Sequence, residues 1–212
     1  AVGKYTYFKG TQYESSLHDS RRWGYGKISI QRAFEVSSNV ISKIIDENYK
    51  NNPQELIDGL KDIGLHKTLG VEISGERSPY IKEANQEDFS GITLPWMAIG
   101  YELEQTPLQT LAFYNAVANN GTMVKPQFVK EIRDGDRVLE SFDTEVLNEQ
   151  ICKPSTLKDV KTMLEGVVQS GTGKNIRPIG FDIAGKTGTV QLIDDRGQYS
   201  DKHQASFCGY LP

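Results

Sequence analysis

The chain has 212 residues, 24 basic against 28 acidic, and a net charge of −4. One sizeable core can be buried at this length and nothing forces a second domain. The acidic balance argues against a phosphate-tracking nucleic-acid binder, which carries a basic stripe. No apolar run approaches the roughly 20 residues that a membrane span needs, and no signal-peptide pattern opens the chain. Two cysteines, Cys152 and Cys208, are too few for a disulfide framework, and Cys208 in its apolar run reads as a buried free thiol. His18, His66 and His203 are scattered, with no metal-ligand spacing.

Residues 1–30 read as irregular structure with short extended pieces, of which Lys4-Tyr5-Thr6-Tyr7-Phe8 is a strand ending by Gly10. From Ile28 to Val36 the apolar positions Ile30, Ala33 and Phe34 fall at helical spacing. A second helical pattern runs from Val40 to Tyr49, so the triplet Ser37-Ser38-Asn39 lies at a junction of two helices. Pro53 to Ile63 is an amphipathic helix closed by Gly64, and residues 66–95 read as loop with short strands. Thr106 caps a helix with Pro107 at its first position, running to Asn119. Pro126 to Glu140 reads as a hairpin turning at Asp134-Gly135-Asp136. A helix from Ser155 to Gln169 ends at Ser170-Gly171-Thr172-Gly173. Ile183 to Ile193 is then a strand with inserted glycines, turned by Asp194-Asp195-Arg196-Gly197 onto a final strand, Ala205 to Leu211. In this reading helices outnumber strands, and the last two strands form an antiparallel pair.

Gly180-Phe181-Asp182-Ile183-Ala184-Gly185-Lys186-Thr187 formally matches the phosphate-binding loop G-x-x-x-x-G-K-[ST]. That loop needs an apolar strand before it and a helix after it. Here a charged, proline-containing stretch precedes and a strand pattern follows, and Asp182 would repel phosphate, so the nucleotide reading fails. The same lysine supports a different ligand. Glycines in a β-branched strand mark close approach of a backbone or a ligand. Gly185 and Gly188 flank Lys186-Thr187, and strand alternation puts Thr187 and Thr189 on one face with Lys186 on the other. Two hydroxyls, exposed amides and a nearby ammonium make a carboxylate receptor. The plain alternatives are a solvated lysine between turn glycines and, for Ser37-Ser38-Asn39, an ordinary N-cap of the second helix.

Ser37-Ser38-Asn39 and Lys186-Thr187-Gly188-Thr189 are two of the three signatures of penicillin-interactive serine acyltransferases. Around them stand Trp23-Gly24, Thr106-Pro107-Leu108-Gln109, Ala118-Asn119-Asn120-Gly121, Gly171-Thr172-Gly173 and Ala205-Ser206-Phe207-Cys208-Gly209-Tyr210. This ordered set resembles class B penicillin-binding proteins, the D,D-transpeptidases of peptidoglycan synthesis, and most of all the division-type members. The resemblance implies an α/β (α+β) fold with an antiparallel sheet core, flanking helices and a helical subdomain carrying Ser37 and Asn39. It implies that Ser37 relays a proton between the family's catalytic lysine and the leaving amine, and that Lys186 holds the site's positive potential and assists Ser37. Asn39 would hydrogen-bond the peptide stem or a β-lactam side chain. Thr187, Gly188 and Thr189 would bind substrate, the two threonines holding the terminal carboxylate and the Thr189 amide supplying an oxyanion-hole donor.

The family's third signature, the nucleophilic Ser-x-x-Lys, precedes Ser-x-Asn by some fifty to sixty residues in the resemblance, farther than Ser37 lies from Ala1. The formal match Ser155-Thr156-Leu157-Lys158 comes after it, and Ser155 reads as an N-cap. Tyr49-Lys50-Asn51 imitates a Tyr-x-Asn variant but reads as a solvated helix end. Residues 1–212 are therefore expected to be a truncated transpeptidase domain, lacking the nucleophile and a closing strand and helix, and inactive by themselves. The parent enzyme is expected to act on the extracytoplasmic side of the bacterial membrane, anchored by a segment outside this sequence. Its expected partners are peptidoglycan stem peptides, β-lactam antibiotics and other cell-wall or division proteins; no nucleic acid, metal or cofactor is implied. The rival readings are a related β-lactamase or β-lactam sensor, against which Asn39 counts, and a non-catalytic scaffold of the division machinery.

Overall fold

A computed structural model describes residues 3–194 and 196–212, with all their side chains except those of Ile193 and Tyr199. In chain order the elements begin with β1 (Lys4–Tyr7), β2 (Ser15–His18), α1 (Ile30–Glu35), a 3-10 turn (Asn39–Ile41), α2 (Ser42–Tyr49) and α3 (Pro53–Asp62). Next come β3 (Tyr80–Ile81), α4 (Thr93–Met97), β4 (Leu103–Glu104), α5 (Pro107–Ala118), β5 (Met123–Val124), β6 (Glu131–Asp134), β7 (Arg137–Ser141) and β8 (Val146–Asn148). The chain closes with α6 (Pro154–Gln169), a second 3-10 turn (Lys174–Ile176), β9 (Ala184–Ile193) and β10 (Tyr199–Tyr210).

The fold is mixed α/β with antiparallel sheets, as the resemblance implied. Among the described residues the strands form five two-stranded ladders, β1–β2, β3–β4, β5–β8, β6–β7 and β9–β10. Strands outnumber helices, the reverse of the expectation, because β3, β4 and β5 are two residues each. Such segments are too short to leave any alternation in the sequence. The helix expected over Ile28–Val36 begins at Ile30, where the Ser29 hydroxyl accepts the Arg32 N–H as its cap. Ser155 is not an N-cap, since α6 starts one residue earlier, at Pro154. The final strand starts six residues earlier than expected, at Tyr199. The turn joining it to β9 closes with the Gly197 N–H on the Asp194 carbonyl; Asp195, placed in that turn from sequence, lies outside the described residues.

The chain divides into two compact units. Residues 1–43 and 158–212 form the first. It buries Tyr7 and Leu17 of the β1–β2 hairpin, Ala33 and Val36 at α1, and Val167 and Val168 near the end of α6. Its longest ladder pairs Thr187 with Phe207, Lys186 with Cys208 and Gly185 with Gly209. A side chain at Gly185 would collide with the Phe207 ring and the β10 backbone, and one at Gly209 with the same ring. The aromatic ring thus covers the paired glycines. Gly185 is therefore explained by close approach within the fold, not by a ligand. Cys208 is half-buried rather than buried, and its thiol pKa is pushed up by burial.

Residues 44–157 form the second unit. Ile57 of α3, Ile81 and Met97 make its apolar cluster, with Leu56, Leu60 and Phe89 packed on it. Fully burying an aliphatic side chain of this size contributes about 1.5–3 kcal/mol, so this cluster is what fastens α3. Thr106 and Gln109 form the complete capping box at the start of α5: the Thr106 hydroxyl accepts the Gln109 N–H, and the Gln109 side chain accepts the Thr106 N–H. The β6–β7 hairpin turns at Gly135, as its sequence signals required. Lys82, nearly buried, lies between Asp88 at 2.9 Å and Glu102 at 2.8 Å. The hydrogen bonds it donates to Asp88 and Glu102 hold it well above the ordinary lysine pKa.

Candidate active site

The site assembles within the first unit, around the end of α1. Helix α1 stops in a two-bond reverse turn. The Ser38 N–H donates to the Ala33 carbonyl at 2.9 Å and the Ser37 N–H to the Phe34 carbonyl at 3.0 Å. These are the two bonds of a Schellman motif, whose turning residue adopts the left-handed conformation and is usually glycine. Here that residue is Ser37, at φ 54°. A side chain in this conformation costs roughly 1–2 kcal/mol, and such strain persists where the surroundings over-determine it. The consequence is that Ser37 projects, exposed, from a rigid corner.

The corner is fixed from below by a carboxylate. Buried Ser38 donates its hydroxyl to Asp19 Oδ1 at 2.9 Å, and the Val40 N–H reaches the same oxygen at 3.3 Å. Asn39 donates its Nδ2 to the His18 carbonyl at 2.8 Å, which aims its side chain along the end of β2. Ser38 makes no side-chain cap bond to the following turn. Ser38 thus holds the N-cap position of the 3-10 turn by its backbone alone, while the side chains of the triplet go to Asp19, the His18 carbonyl and Lys186.

Lys186 Nζ donates to Ser37 Oγ at 2.9 Å across 149 residues of sequence, and to the Thr187 carbonyl at 3.1 Å. The ammonium lies 5.7 Å from the centre of the Phe34 ring, a cation–π contact that anchors the charge. Burial holds the Lys186 pKa below the ordinary lysine value. Alternation along β9 gives Thr187 and Thr189 one face. Thr187 Oγ1 is 2.6 Å from the hydroxyl of Thr172, in the turn after α6. Thr189 is exposed. Among the described residues β9 pairs only with β10.

Ser37, Asn39, Lys186 and Thr187, read as site residues from sequence, thus have their side chains engaged within this unit, and Gly188 and Thr189 continue the same strand. Sequence reasoning assigned no role to Thr172, Asp19 or Glu35. Thr172 carried a signal, since a hydroxyl stood between two glycines after a helix end. Asp19 carried none. The formal phosphate loop is excluded by what surrounds it: a 3-10 turn precedes Gly180 and strand β9 follows. Tyr49 ends α2, and Lys50 and Asn51 beyond it are exposed.

The family model of the penicillin-binding protein transpeptidase domain matches residues 3–212. Stage V sporulation protein D of Bacillus subtilis is 27% identical over 194 residues, covering 91% of this chain and 30% of its own length. Penicillin-binding protein PbpB of Mycobacterium tuberculosis is 31% identical over 188 residues, covering 84% and 27%. The peptidoglycan D,D-transpeptidase FtsI of Buchnera aphidicola is 30% identical over 159 residues, covering 74% and 26%. The chain therefore spans less than a third of the length of these curated relatives. The crystal structure of penicillin-binding protein 3 from M. tuberculosis superposes with a TM-score of 0.79 at 29% identity, over 93% of this chain and 45% of that one. The transpeptidase domain of penicillin-binding protein 3 from Burkholderia pseudomallei shares the fold at a TM-score of 0.79 and 24% identity, over 100% and 58%. With two of the signature motifs brought into contact and the match running from residue 3 to residue 212, the chain belongs to the penicillin-binding protein transpeptidase family, in its class B branch.

Proposed function

We propose that this chain is part of a peptidoglycan D,D-transpeptidase, a serine acyltransferase that cross-links stem peptides and is trapped by penicillins. The observation that carries the reading is the 2.9 Å hydrogen bond from Lys186 Nζ to Ser37 Oγ. It places an ammonium on a hydroxyl in an exposed corner, and a polar side chain so charged and so held has a proton-relay geometry. Relatives named as D,D-transpeptidases and the ampicillin and aztreonam complexes of the M. tuberculosis structure support it.

In this mechanism the nucleophile is a serine of a Ser-x-x-Lys segment outside the present sequence. Its hydroxyl gives its proton to the lysine of the same segment as it attacks the carbonyl between two terminal D-alanines. The peptide C–N bond breaks, and the departing amine takes its proton through Ser37, whose hydroxyl is polarised by Lys186. The ester left behind is attacked by a neighbouring stem's amine, which gives up a proton and restores the serine. Thr187 and Thr189 hold the terminal carboxylate, with Thr172 orienting the Thr187 hydroxyl. Gly188, where a side chain would meet the Ser206 hydroxyl of β10, contributes its backbone to the strand that the peptide lies along. The Thr189 amide serves as an oxyanion donor, a contribution of roughly 3–4 kcal/mol for such a group. Asn39 offers its side-chain carbonyl oxygen to the stem's backbone N–H. No step calls for a metal or cofactor. The enzyme works on the extracytoplasmic face of the membrane, in division, with other cell-wall proteins as partners.

The test is intact-mass analysis after incubation with benzylpenicillin, on the 212-residue chain and on the full-length protein. β-Lactam acylation opens a ring and loses no atoms, so the expected result is a gain of the whole penicillin mass on the full-length protein alone. An adduct mapped to Ser37 would overturn the assignment of roles. No adduct on either would overturn the enzyme reading in favour of a scaffold, and rapid antibiotic turnover would move it to a β-lactamase.

A further inference from the structure

Glu35 is the penultimate residue before Ser37 and is almost wholly buried, its side chain 8% exposed. It lies against the C-terminal turn of α6, where the last carbonyls already carry partial negative charge, so a carboxylate is electrostatically disfavoured there. Stability alone would favour an apolar or a cationic side chain at this position. Instead the molecule invests several groups in keeping the carboxylate. Oε1 accepts from Gln31 Nε2 at 2.9 Å and Oε2 from Arg32 Nη1 at 2.8 Å. Ser170 Oγ reaches Oε2 at 3.5 Å. Arg32 Nη1 also donates to Ser170 Oγ at 2.9 Å, and both its terminal nitrogens reach the Ser170 carbonyl at 3.2 Å. Burial pushes the Glu35 pKa up, but the bonds from Arg32 and Gln31 outweigh it and leave the group below its ordinary value, hence ionised at neutral pH.

The backbone of the same residue makes a second connection. The Glu35 carbonyl accepts the Thr172 N–H at 3.0 Å. Two glycines make room for this residue: a side chain at Gly166 would collide with the Glu35 carboxylate, and one at Gly171 with its carbonyl. From Glu35 the chain runs through one residue to the left-handed corner that presents Ser37. From Thr172 it runs to a hydroxyl 2.6 Å from that of Thr187. Glu35 is therefore the point where the Ser37 corner and the Thr172 hydroxyl are tied to one another.

We infer that Glu35 is a positioning residue of the acyl-transfer site, holding the Ser37 corner and the Ser170–Thr172 turn in register through its carboxylate and its carbonyl. The inference rests on the transpeptidase reading above. Glu35 touches neither substrate nor the reacting atoms; it acts through Ser37 and Thr172. Misplacing a catalytic group by an ångström can cost about a hundredfold in rate, so loosening this tie should be felt in the chemical step.

The experiment uses the full-length protein and a chromogenic or fluorescent penicillin, resolving the limiting acylation rate constant from the pre-covalent dissociation constant in stopped flow. Glu35→Ala is expected to lower the limiting rate constant by roughly tenfold to a hundredfold at a temperature where circular dichroism shows it fully folded. Glu35→Gln, which preserves the acceptor for Arg32 and can still bond Ser170, is expected to restore most of that loss. If Glu35→Ala does not fold, Ser170→Ala removes one partner of the carboxylate and is expected to lower the limiting rate constant by about two- to tenfold, the share of one hydrogen bond, at a temperature where circular dichroism shows it fully folded. A wild-type limiting rate in folded Glu35→Ala, or in Ser170→Ala where the first does not fold, would overturn the inference. So would a rate loss matched by the fraction unfolded, or a Glu35→Gln variant as slow as Glu35→Ala. Failure of the wild-type protein to acylate would overturn the transpeptidase reading itself, and is distinguished because it appears before any substitution is made.

Discussion

Lys186 Nζ meets Ser37 Oγ at 2.9 Å, and Phe34, three residues before Ser37, supplies the ring over which the ammonium sits. The end of α1 and the turn that follows it therefore set both the partner and the resting place of the lysine. In the full-length protein Lys186→Met is expected to lower penicillin acylation by about a hundredfold or more, the range for a lost acid–base contribution, while the fold survives. An acylation rate within a few-fold of wild type would remove Lys186 from the relay.

The lysine's burial also gives a pH dependence with a definite sign. Its pKa is lowered in the folded state by burial. Between that lowered value and the ordinary value of 10.5 the unfolded chain binds more protons, so stability rises with pH across that window. Below the folded pKa the cost of the buried ammonium is fully in place. If the ammonium polarises Ser37, acylation falls as pH rises through the lowered pKa, before free lysine would titrate. The alkaline limb of the acylation rate should therefore lie below 10.5, and Lys186→Arg, whose guanidinium stays charged, should lack it. An identical limb in Lys186→Arg would assign the titration to another group.

Ser37 occupies a position that glycine favours. Comparing Ser37→Gly with Ser37→Ala isolates that cost, since both lose the hydroxyl and its bond to Lys186. Ser37→Gly is expected to be the more stable of the two by about 1 kcal/mol, measured by urea denaturation, although both should lose acylation. Equal stability, or the reverse order, would show that the left-handed φ of 54° carries no strain.

Much of this was legible in the sequence for reasons of local chemistry. Thr106-Pro107 with Gln109 writes a capping box into the chain, and the long alternating run to Ile193 writes β9. Ser37-Ser38-Asn39 was placed at a helix junction correctly, but its left-handed corner was hidden because serine, unlike glycine, does not advertise that conformation. The two-residue strands left no periodicity, and α4 was lost inside a Gly- and Pro-rich stretch. Asp19 and Ser38 are 19 residues apart, and Glu35 and Thr172 are joined only by tertiary contact; no spacing rule announces either pair. The sequence displays the motifs, and what it conceals is what holds their side chains still.

Asp19 is the support beneath the Ser-x-Asn corner, and it is buried along with Ser38. Asp19→Ala would leave the Ser38 hydroxyl and the Val40 N–H without their acceptor, and an orphaned buried polar group costs about 1–3 kcal/mol. Asp19→Asn keeps an acceptor oxygen for Ser38 and should cost less. Denaturant titration of the two variants tests this order; an Asp19→Ala protein as stable as wild type would show that Ser38 finds another partner.

In the second unit, Glu76 organises a loop by accepting the backbone N–H groups of Leu69, Gly70 and Val71. Burial pushes its pKa up, but the bonds from Leu69, Val71 and Gly70 outweigh it and leave the carboxyl below its ordinary value. A carboxyl depressed in this way contributes stability that is complete above its unfolded pKa and is lost as pH falls through the folded one. Glu76→Gln should therefore flatten the acid side of the stability profile, and at neutral pH it should cost only about 1 kcal/mol, since the loop amides are partly solvated. Protection of the Leu69 and Gly70 amides against hydrogen exchange should fall in the same variant. Unchanged protection and an unchanged acid limb would show that the loop is held by its own backbone and by the buried Leu69 side chain, and that the carboxylate is incidental to it.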